Sequence, residues 1–280
     1  SLPMKTYNNS QTIDFLLLFR GHIKKIDLSN YLSINAAEAE LALIEYLRSN
    51  ATTVKTDDPV FNIIQMDKFV PIYEHNLADA LNTFSSGLFS EQDRHVLTPS
   101  PVSINTPSLD VLSKLTQAIS NNNAVNLIYT SLSSGSGSRE FVPQRIVNNG
   151  LRWHVRGFDR KSRSFRDFVL TRISRVSIRS NDVQSYESAS NDEMWNKSLQ
   201  LMLIPHPKNI SEATAIEMDY GMVDGCLRLS TNAALVGYLL RRWNIDATED
   251  ARLQSPEYQL WLQNYRVLAG IDNLTIAPGF

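Results

Sequence analysis

Apolar positions near the start of the chain follow the i, i+3, i+4 spacing of a buried helix face, at Ile13, Leu16 and Leu17. The same kind of pattern predicts a short second helix over 26–32 and a third over 35–48, with Asn35 as its N-cap. The stretch 54–73 indicates strand, turn and strand, because an Asp-Asp-Pro break separates two β-rich runs. Three short helices followed by a β-hairpin is the layout of a winged helix-turn-helix.

The middle of the chain changes from helical to alternating periodicity. A Ser-, Thr- and Pro-rich linker precedes Thr106-Pro107, which we expect to cap a helix that ends at three consecutive asparagines, 121–123. Five short β-prone runs follow between 125 and 180, separated by the turn sequences SSGSGS, NNG and DRKS. Closely spaced short strands of this kind favour a small barrel.

The last third, from about Pro205, predicts a strand and two helices. The segment CLRLS is typical of a strand. Residues 231–245 have the pattern of a helix in which Leu235, Tyr238 and Leu239 share a face. Ser255-Pro256 is expected to cap a second helix, with apolar positions at Tyr258, Trp261, Leu262 and Tyr265.

Length and composition fit a multidomain globular protein. The chain has 280 residues, of which 42% are hydrophobic and 20% charged. The N-terminus lacks the pattern of a secretory leader, and no apolar run reaches the ~20 residues of a membrane span, so we expect a cytoplasmic protein. One cysteine, Cys226, excludes an internal disulfide.

Charge is distributed unevenly along the chain. The formal net charge is −2, yet residues 110–182 hold twelve Lys and Arg against five Asp and Glu. A basic block of this kind attracts anionic ligands such as phosphates or nucleic acid. Within it, strand alternation puts Arg152, His154 and Arg156 on one side, and Trp153 and Val155 on the other.

Two interpretations of these arginines remain open. They form a solvated outer face, or they converge on a concave anion site. Arginines recur on the neighbouring runs and are accompanied by hydroxyl groups, which favours the second interpretation. Arginine's planar fork also matches phosphate or carboxylate oxygens in pairs. The residues concerned are Arg139, Arg166, Arg172, Tyr129, Ser131 and Ser133.

The order of motifs resembles the WYL domain of bacterial transcription regulators. It comprises Tyr-x-Ser-x-Ser, Arg139 with Pro143, Gly-x-Arg-Trp-His-Val-Arg, and Phe-x-Asp-Phe-Val-Leu-x-Arg-Ile. Trp153-His154-Val155 stands where the Trp-Tyr-Leu signature lies, and histidine in the middle is a variant of the BrxR-like regulators associated with the phage-defence systems BREX and CBASS. Three further segments resemble that subgroup's dimerisation segment, namely PHPKN, EMDYGMVDG and ALVGYLLRRWNID. The likeness covers about 109–264, and towards the N-terminus it rests on LSINAAEAELALIEY at the position of the recognition helix.

The resemblance implies an α+β protein of three domains. These are a winged helix-turn-helix at 1–95, a linker at 96–108, a WYL domain with an Sm-like (SH3-like) β-barrel at 109–185, and an α/β, WCX-like dimerisation domain at 186–280. The implied function is a homodimeric transcriptional repressor of a phage-defence operon. It would bind a palindromic operator in double-stranded DNA and sense an anionic nucleotide or oligonucleotide.

The resemblance also implies site residues. Those of the effector site are Tyr129, Ser131, Ser133, Arg139, His154, Arg156, Arg166 and Arg172. Gln144 departs from the histidine that is commoner after the proline, so one polar contact differs there. Those of the dimer interface are Leu235, Tyr238, Leu239 and Arg242.

DNA binding by the N-terminal segment is less obvious from charge, because residues 1–75 hold seven Lys and Arg against nine Asp and Glu. We expect contacts to phosphates or bases from Lys24, Lys25, Lys68, Asn35, Ala36, Ala37 and Glu38. For Glu38 and Glu40 two readings remain open, a solvated helix side or acceptance of a cytosine amino group in the major groove.

An enzyme is not expected. The five histidines show no paired metal spacing, no nucleophile stands with a base and an orienting group, and neither a metal nor a cofactor is implied. The alternative function is a nucleic-acid-binding accessory protein. Its arginine barrel would grip single strands, with aromatic residues stacking on bases, without regulating a promoter.

Overall fold

The computed structural model describes residues 8–57, 62–66, 68–75, 104–105, 107–179 and 182–280. The chain divides into two compact units, 1–102 and 103–280. Helices and mainly antiparallel sheets are both present, so the fold class is mixed α+β. No helix among the described residues is long and apolar enough to cross a membrane.

The N-terminal unit contains the predicted helices and hairpin. Helix α1 spans Asn9–Arg20, strand β1 His22–Ile23, helix α2 Lys25–Leu32, helix α3 Ala36–Ser49, strand β2 Val54–Asp57 and strand β3 Asn62–Gln65. The strands form one antiparallel sheet in the order β1-β3-β2. Asn35 is the N-cap of α3, as predicted, and forms a capping box with Glu38.

A buried carboxylate ties this unit together. Apolar side chains of all three helices, among them Leu16, Leu28 and Leu43, form its core. Asp14 is buried in that core and accepts hydrogen bonds from the Tyr46 hydroxyl and from the backbone N–H of Ile72 (2.9 Å) and Tyr73 (3.1 Å). His75 Nε2 lies 2.7 Å from its second oxygen. The segment that follows the hairpin is therefore bound to helix α1.

The second unit begins with helix α4, Leu109–Asn121, and a five-stranded antiparallel sheet. The strands are β4 Val125–Ser131, β5 Gly135–Asn148, β6 Trp153–Asp159, β7 Ser164–Val169 and β8 Ile173–Ile178, with a short 3-10 helix at Leu170–Arg172. They lie in the order β7-β6-β5-β4-β8. The N-cap of α4 is Ser108, whose hydroxyl accepts from the N–H of Val111, and the predicted cap Thr106 lies outside the described residues.

One face of this sheet packs on α4. Leu115 of the helix lies against a core that includes Leu127, Phe141, Val155 and Phe168. Strand β5 contains an irregularity in its pairing with β6, between Pro143 and Arg145. The other face of the sheet is covered by the connecting segment 182–197, which contains 3-10 helices Ser185–Glu187 and Ala189–Asn191 and helix α5, Glu193–Asn196.

The C-terminal part has its own four-stranded sheet. Strands β9 Ser198–Pro205, β10 Leu227–Asn232, β11 Ile245–Asp246 and β12 Leu260–Leu262 lie in the order β10-β9-β12-β11, with helices α6 Ala213–Asp219 and α7 Ala233–Arg242 and 3-10 helices Tyr265–Leu268 and Leu274–Ile276. The strand and helix predicted at 226–245 are confirmed. The helix predicted after Ser255-Pro256 is wrong. Strand β12 occupies that stretch instead, pairing with β9 and β11.

Candidate functional site

The site of interest is the sheet face opposite α4. Val155 of β6 is in the core, so the strand's alternation turns its neighbours His154 and Arg156 to the other face. Strand alternation predicts that Trp153 lies on the apolar side with Val155. Val155 is fully buried, whereas Trp153, at the strand's first position, is 37% exposed. Further along the same face Phe158 packs with Val142 in a small apolar cluster.

Arg156 is buried between two carboxylates. Its Nε lies 2.6 Å from Asp192 Oδ2 and its Nη2 2.7 Å from Asp192 Oδ1, which is a bidentate pair. Its Nη1 donates to Asp167 Oδ1 at 3.0 Å, from the directly opposite position on β7. Only 5% of Arg156 is exposed, so both carboxylates offset the cost of burying its charge.

His154 is completely buried beside this pair. Asn149 Oδ1 accepts from the backbone N–H of Leu151 and Arg152, so its amide nitrogen faces the ring and donates to His154 Nδ1 at 3.0 Å. The ring proton therefore sits on Nε2, which lies 3.4 Å from Asp167 Oδ1 without forming a hydrogen bond. Burial lowers the pKa of His154 below its usual 6.5, so the ring is neutral at neutral pH.

Tyr238 of α7 connects the site to the C-terminal sheet domain. Its ring stacks on His154 with centroids 5.1 Å apart, and its hydroxyl donates to Asp167 Oδ2 at 2.7 Å. Burial and the neighbouring Asp167 carboxylate both raise the pKa of Tyr238, so the hydroxyl keeps its proton. We call His154, Arg156, Asp167, Asp192 and Tyr238 the Arg156 network.

The other predicted effector residues lie elsewhere on the sheet. Tyr129 is buried against Phe168, at 4.7 Å between ring centroids, and its oxygen accepts from the N–H of Val169. The strand register places Arg139 and Arg166 on the same face as Tyr129, opposite Arg156. Arg166 is exposed and Arg139 half-buried, as is Arg172 in the 3-10 helix.

Ser131 is the last residue of β4 and Ser133 lies in the turn that follows, with their hydroxyl oxygens 3.1 Å apart. The eight residues are therefore divided between two faces and a loop, and do not converge on one hollow as the sequence interpretation required. Their role in binding an effector stays a prediction.

A separate shallow cavity of about 310 Å³ opens beside Phe158. It is lined by Phe158, Arg160, Arg163, Asp182, Gln184, Tyr186 and Glu187. Arg160 donates to both oxygens of Glu187, at 2.9 and 3.0 Å, so this cation is already engaged. Gln144 reaches the same covering segment by donating to the Glu187 carbonyl at 2.5 Å.

Sequence reasoning missed Asp167, Asp192 and Asn149. Strand pairing of β6 with β7 would have suggested Asp167, since it stands across from Arg156. Asp192 lies 36 residues further along the chain from Arg156, and no local pattern marks it.

The predicted dimer residues differ in exposure. Tyr238 is 6% exposed and its hydroxyl donates to Asp167 within its own chain, and its place at a dimer interface stays a prediction. Leu239 is half-buried against the C-terminal core and Leu235 is also half-buried. Arg242 is exposed, with its guanidinium 5.7 Å from the Trp243 ring centroid.

The predicted DNA-contacting residues lie on α2, α3 and the segment after β3. Lys24, Ala36, Ala37 and Lys68 are exposed. Glu38 accepts from the N–H of Asn35, so its carboxylate caps the helix, and Lys25 pairs with Glu40 at 3.3 Å. Both glutamates therefore have partners within the N-terminal unit, and recognition of DNA bases by these residues stays a prediction.

Two family models match the chain. One is the WYL domain, over residues 110–178, and the other the "BrxR transcriptional regulator, C-terminal dimerization domain", over 198–268. Curated relatives are named "DNA-binding transcriptional repressor CapW". The protein from Escherichia coli (strain KTE188) is 32% identical over 90% of this chain and 87% of its own length. That from Pseudomonas aeruginosa is 28% identical over the same shares.

Solved structures give weaker likenesses. "Proteasome accessory factor B/C (PafBC) of Arthrobacter aurescens" has a TM-score of 0.28 at 13% identity, covering 82% of this chain and 43% of that chain. A "CRISPR Cas-related protein" has a TM-score of 0.31 at 11% identity, covering 84% and 72%. Scores this low support no inference about fold or function.

Proposed function

Because the chain belongs to the family of WYL-domain regulators that includes the CapW repressors, we propose that it is a homodimeric, DNA-binding transcriptional repressor with an effector-sensing central domain. The observation that carries this proposal is the 32% identity with a DNA-binding repressor over 90% of the chain, so that the N-terminal unit is included in the match. Control of a phage-defence operon from a palindromic operator is part of the proposal.

The N-terminal unit is proposed as the winged helix-turn-helix, with the domain at 1–95 and the linker at 96–108. Three helices followed by the β2–β3 hairpin support this assignment, as does the pairing of the short strand β1 with β3. Helix α3 would be the recognition helix. Its first turn exposes Ala36, Ala37 and Glu38, which leaves room for the backbone and small side chains to approach base edges.

The domain at 109–185 is proposed as an Sm-like barrel. A helix followed by five antiparallel strands in the order β7-β6-β5-β4-β8 supports this assignment. The domain at 186–280 is proposed to hold two subunits together, because residues 198–268 match a dimerization domain. Leu235, Tyr238, Leu239 and Arg242 remain candidates for that interface.

Sensing of an anionic effector is proposed for the central domain because it concentrates the chain's arginines and encloses a buried arginine that a ligand could compete for. Catalysis is not part of the proposal, since the matching relatives are named as repressors. Among the described residues no group of three or more His, Cys, Asp or Glu could hold a metal ion.

Fluorescence anisotropy with two labelled DNAs tests the function. One is the duplex upstream of the protein's own gene, and the other a single strand of scrambled sequence and equal length. A repressor binds the duplex saturably and at least tenfold more tightly than the single strand. Equal affinity for both would exclude operator recognition and would favour the accessory protein that grips single strands.

A further inference from the structure

Two buried donors beside Arg156 have no acceptor. Arg152 Nε and His154 Nε2 are both buried and make no hydrogen bond within the described part of the chain. His154 and Arg156 share one face of β6, and Arg152 comes directly before that strand, where its positive charge acts on His154 and Tyr238. Native proteins pair nearly all buried donors. His154 Nε2 lies 3.4 Å from Asp167 Oδ1 without a hydrogen bond, so both donors are open to a closer acceptor.

The arginines of this face outnumber its carboxylates. Arg145, which stands opposite Arg156 on β5, contributes a third positive charge beside Arg152 and Arg156, against two negative charges from Asp167 and Asp192, and the buried His154 is neutral. Both oxygens of Asp192 nevertheless occupy the fork of Arg156. A ligand oxyanion can bind that fork only if Asp192 leaves it.

Asp192 is the carboxylate that can leave. Asp167 belongs to strand β7 and is held by Arg156 and by Tyr238. Asp192 precedes the four-residue helix α5 in the connecting segment, outside any strand, and its other contact is with the N–H of Trp195 at 3.2 Å. Its departure breaks no sheet hydrogen bond.

We propose that Arg152, His154 and Arg156 form a binding site for an oxyanion, and that Asp192 occupies this site until the oxyanion displaces it. The inference rests on the proposed effector-sensing function and specifies its regulation. A phosphate group fits best, because a tetrahedral oxyanion offers an oxygen pair to the Arg156 fork and a further oxygen to an orphan donor. A carboxylate shares the fork chemistry but has only two oxygens.

Displacement would act on two elements at once. The connecting segment loses its anchor, because Asp192 both pairs with Arg156 and caps helix α5. Helix α7 is affected through Tyr238, which stacks on His154 and donates to Asp167. A ligand on the central sheet thereby reaches the domain that matches the dimerization family.

The test uses Asp192→Asn in the full chain, with Glu193→Gln as the matched control. Glu193 is the exposed neighbour and its side chain makes no contact with Arg156. Calorimetric titrations with inorganic phosphate, adenosine 5′-monophosphate and a short oligothymidylate distinguish a free phosphate from a nucleotide and from a strand. Asp192→Asn is expected to bind at least one of these about tenfold or more tightly than wild type, because the internal competitor is weakened. Glu193→Gln is expected to match wild type.

Hydrogen exchange of the wild-type chain provides a readout that does not depend on the variant's folding. With the best of the three probes at saturation, amides of 185–197 are expected to lose protection while those of β6 keep theirs. The inference is overturned if the segment stays protected while the probe is bound, if Asp192→Asn binds no tighter than Glu193→Gln, or if neither wild type nor variant binds any probe.

Operator binding separates this inference from the proposed function. If Asp192→Asn gains phosphate affinity but no probe alters duplex affinity, the site exists and effector-controlled repression is wrong. If the duplex is bound and released in response to a probe that leaves Asp192→Asn and wild type indistinguishable, repression stands and the displacement of Asp192 is wrong.

Discussion

Asp167 and His154 show how single residues set the chemistry of the central sheet. Asp167 accepts from Arg156 and Tyr238, and so joins two adjacent strands to a helix of the next domain. His154 is held neutral by burial, with its Nδ1 occupied by Asn149. Protonation of this ring would place a second cation inside the network.

The pH dependence of stability follows from this burial. Because the pKa of His154 is lowered below 6.5 in the folded chain, the unfolded chain takes up the proton first as pH falls. Stability is therefore lost as pH falls through about 6.5, by up to ~1.4 kcal/mol per pH unit for this one group. Guanidinium unfolding of wild type and His154→Gln at pH 7.5 and 5.5 measures the difference, and parallel losses in both proteins would contradict it.

At the scale of single residues, the sequence predicted the face on which a side chain lies better than it predicted the residue with which that side chain pairs. Strand alternation correctly put His154 and Arg156 on the face opposite Val155. It could not reveal that Asp192, from the connecting segment, returns to pair with Arg156. The sequence therefore predicts guanidinium groups that are available to a ligand, whereas that of Arg156, which is 5% exposed, is paired within the chain.

Among the elements, the contact of β5 with β6 depends on a glycine. A Cβ at Gly157 would lie 2.1 Å from the Val142 carbonyl oxygen and 2.7 Å from Phe141 Cζ, at the irregular pairing of the two strands. Neither a strand carbonyl nor a core ring can give way by that much without cost. Gly157→Ala is expected to lower the free energy of unfolding by about 1–3 kcal/mol, measured by urea denaturation.

Ser177→Ala, at an exposed position of β8, is the control for this substitution and should stay within ~0.5 kcal/mol of wild type. A Gly157→Ala protein as stable as this control would mean that the two strands adjust freely. In that case the close approach of the two strands at the irregular pairing does not affect the free energy of unfolding.

Most elements followed from periodicity, and the exception has a physical reason. Tyr258, Trp261 and Leu262 fit a helical repeat, but short apolar runs are ambiguous between helix and strand. Leu260–Leu262 pairs with β9 and β11, and Trp261 Nε1 donates to the Thr248 carbonyl at 2.8 Å. Long-range pairing overrides the local pattern here.

At the scale of the whole molecule, the proposed association with DNA depends on which lysines are free to neutralise phosphates. Lys24 is exposed, whereas the adjacent Lys25 is engaged with Glu40. We expect Lys24→Ala to weaken operator binding and to reduce the slope of log affinity against log salt by about 1, because one cation that neutralises a DNA phosphate is removed. Lys25→Ala should change that slope less. Anisotropy at several salt concentrations measures both, and a larger effect of Lys25→Ala would contradict the exposed lysine's role.

The family could be predicted from the whole chain because its motifs keep their order over more than half the length. The coupling between domains could not. The resemblance implies a place for Tyr238 at a dimer interface, and only the fold shows that its side chain also contacts His154 and Asp167 of the central sheet. Contacts between distant segments depend on how domains pack, which local patterns do not encode.

The buried Asp14 sets the shortest N-terminal fragment that can be excised intact. Its carboxylate oxygens accept hydrogen bonds from the Tyr46 hydroxyl and from the backbone N–H groups of Ile72 and Tyr73, and His75 lies against it. A piece ending at Phe69 would retain the three helices and the hairpin but would leave the buried carboxylate with only the Tyr46 hydroxyl of these partners. Anyone dissecting this unit by truncation should therefore cut after His75, never before it.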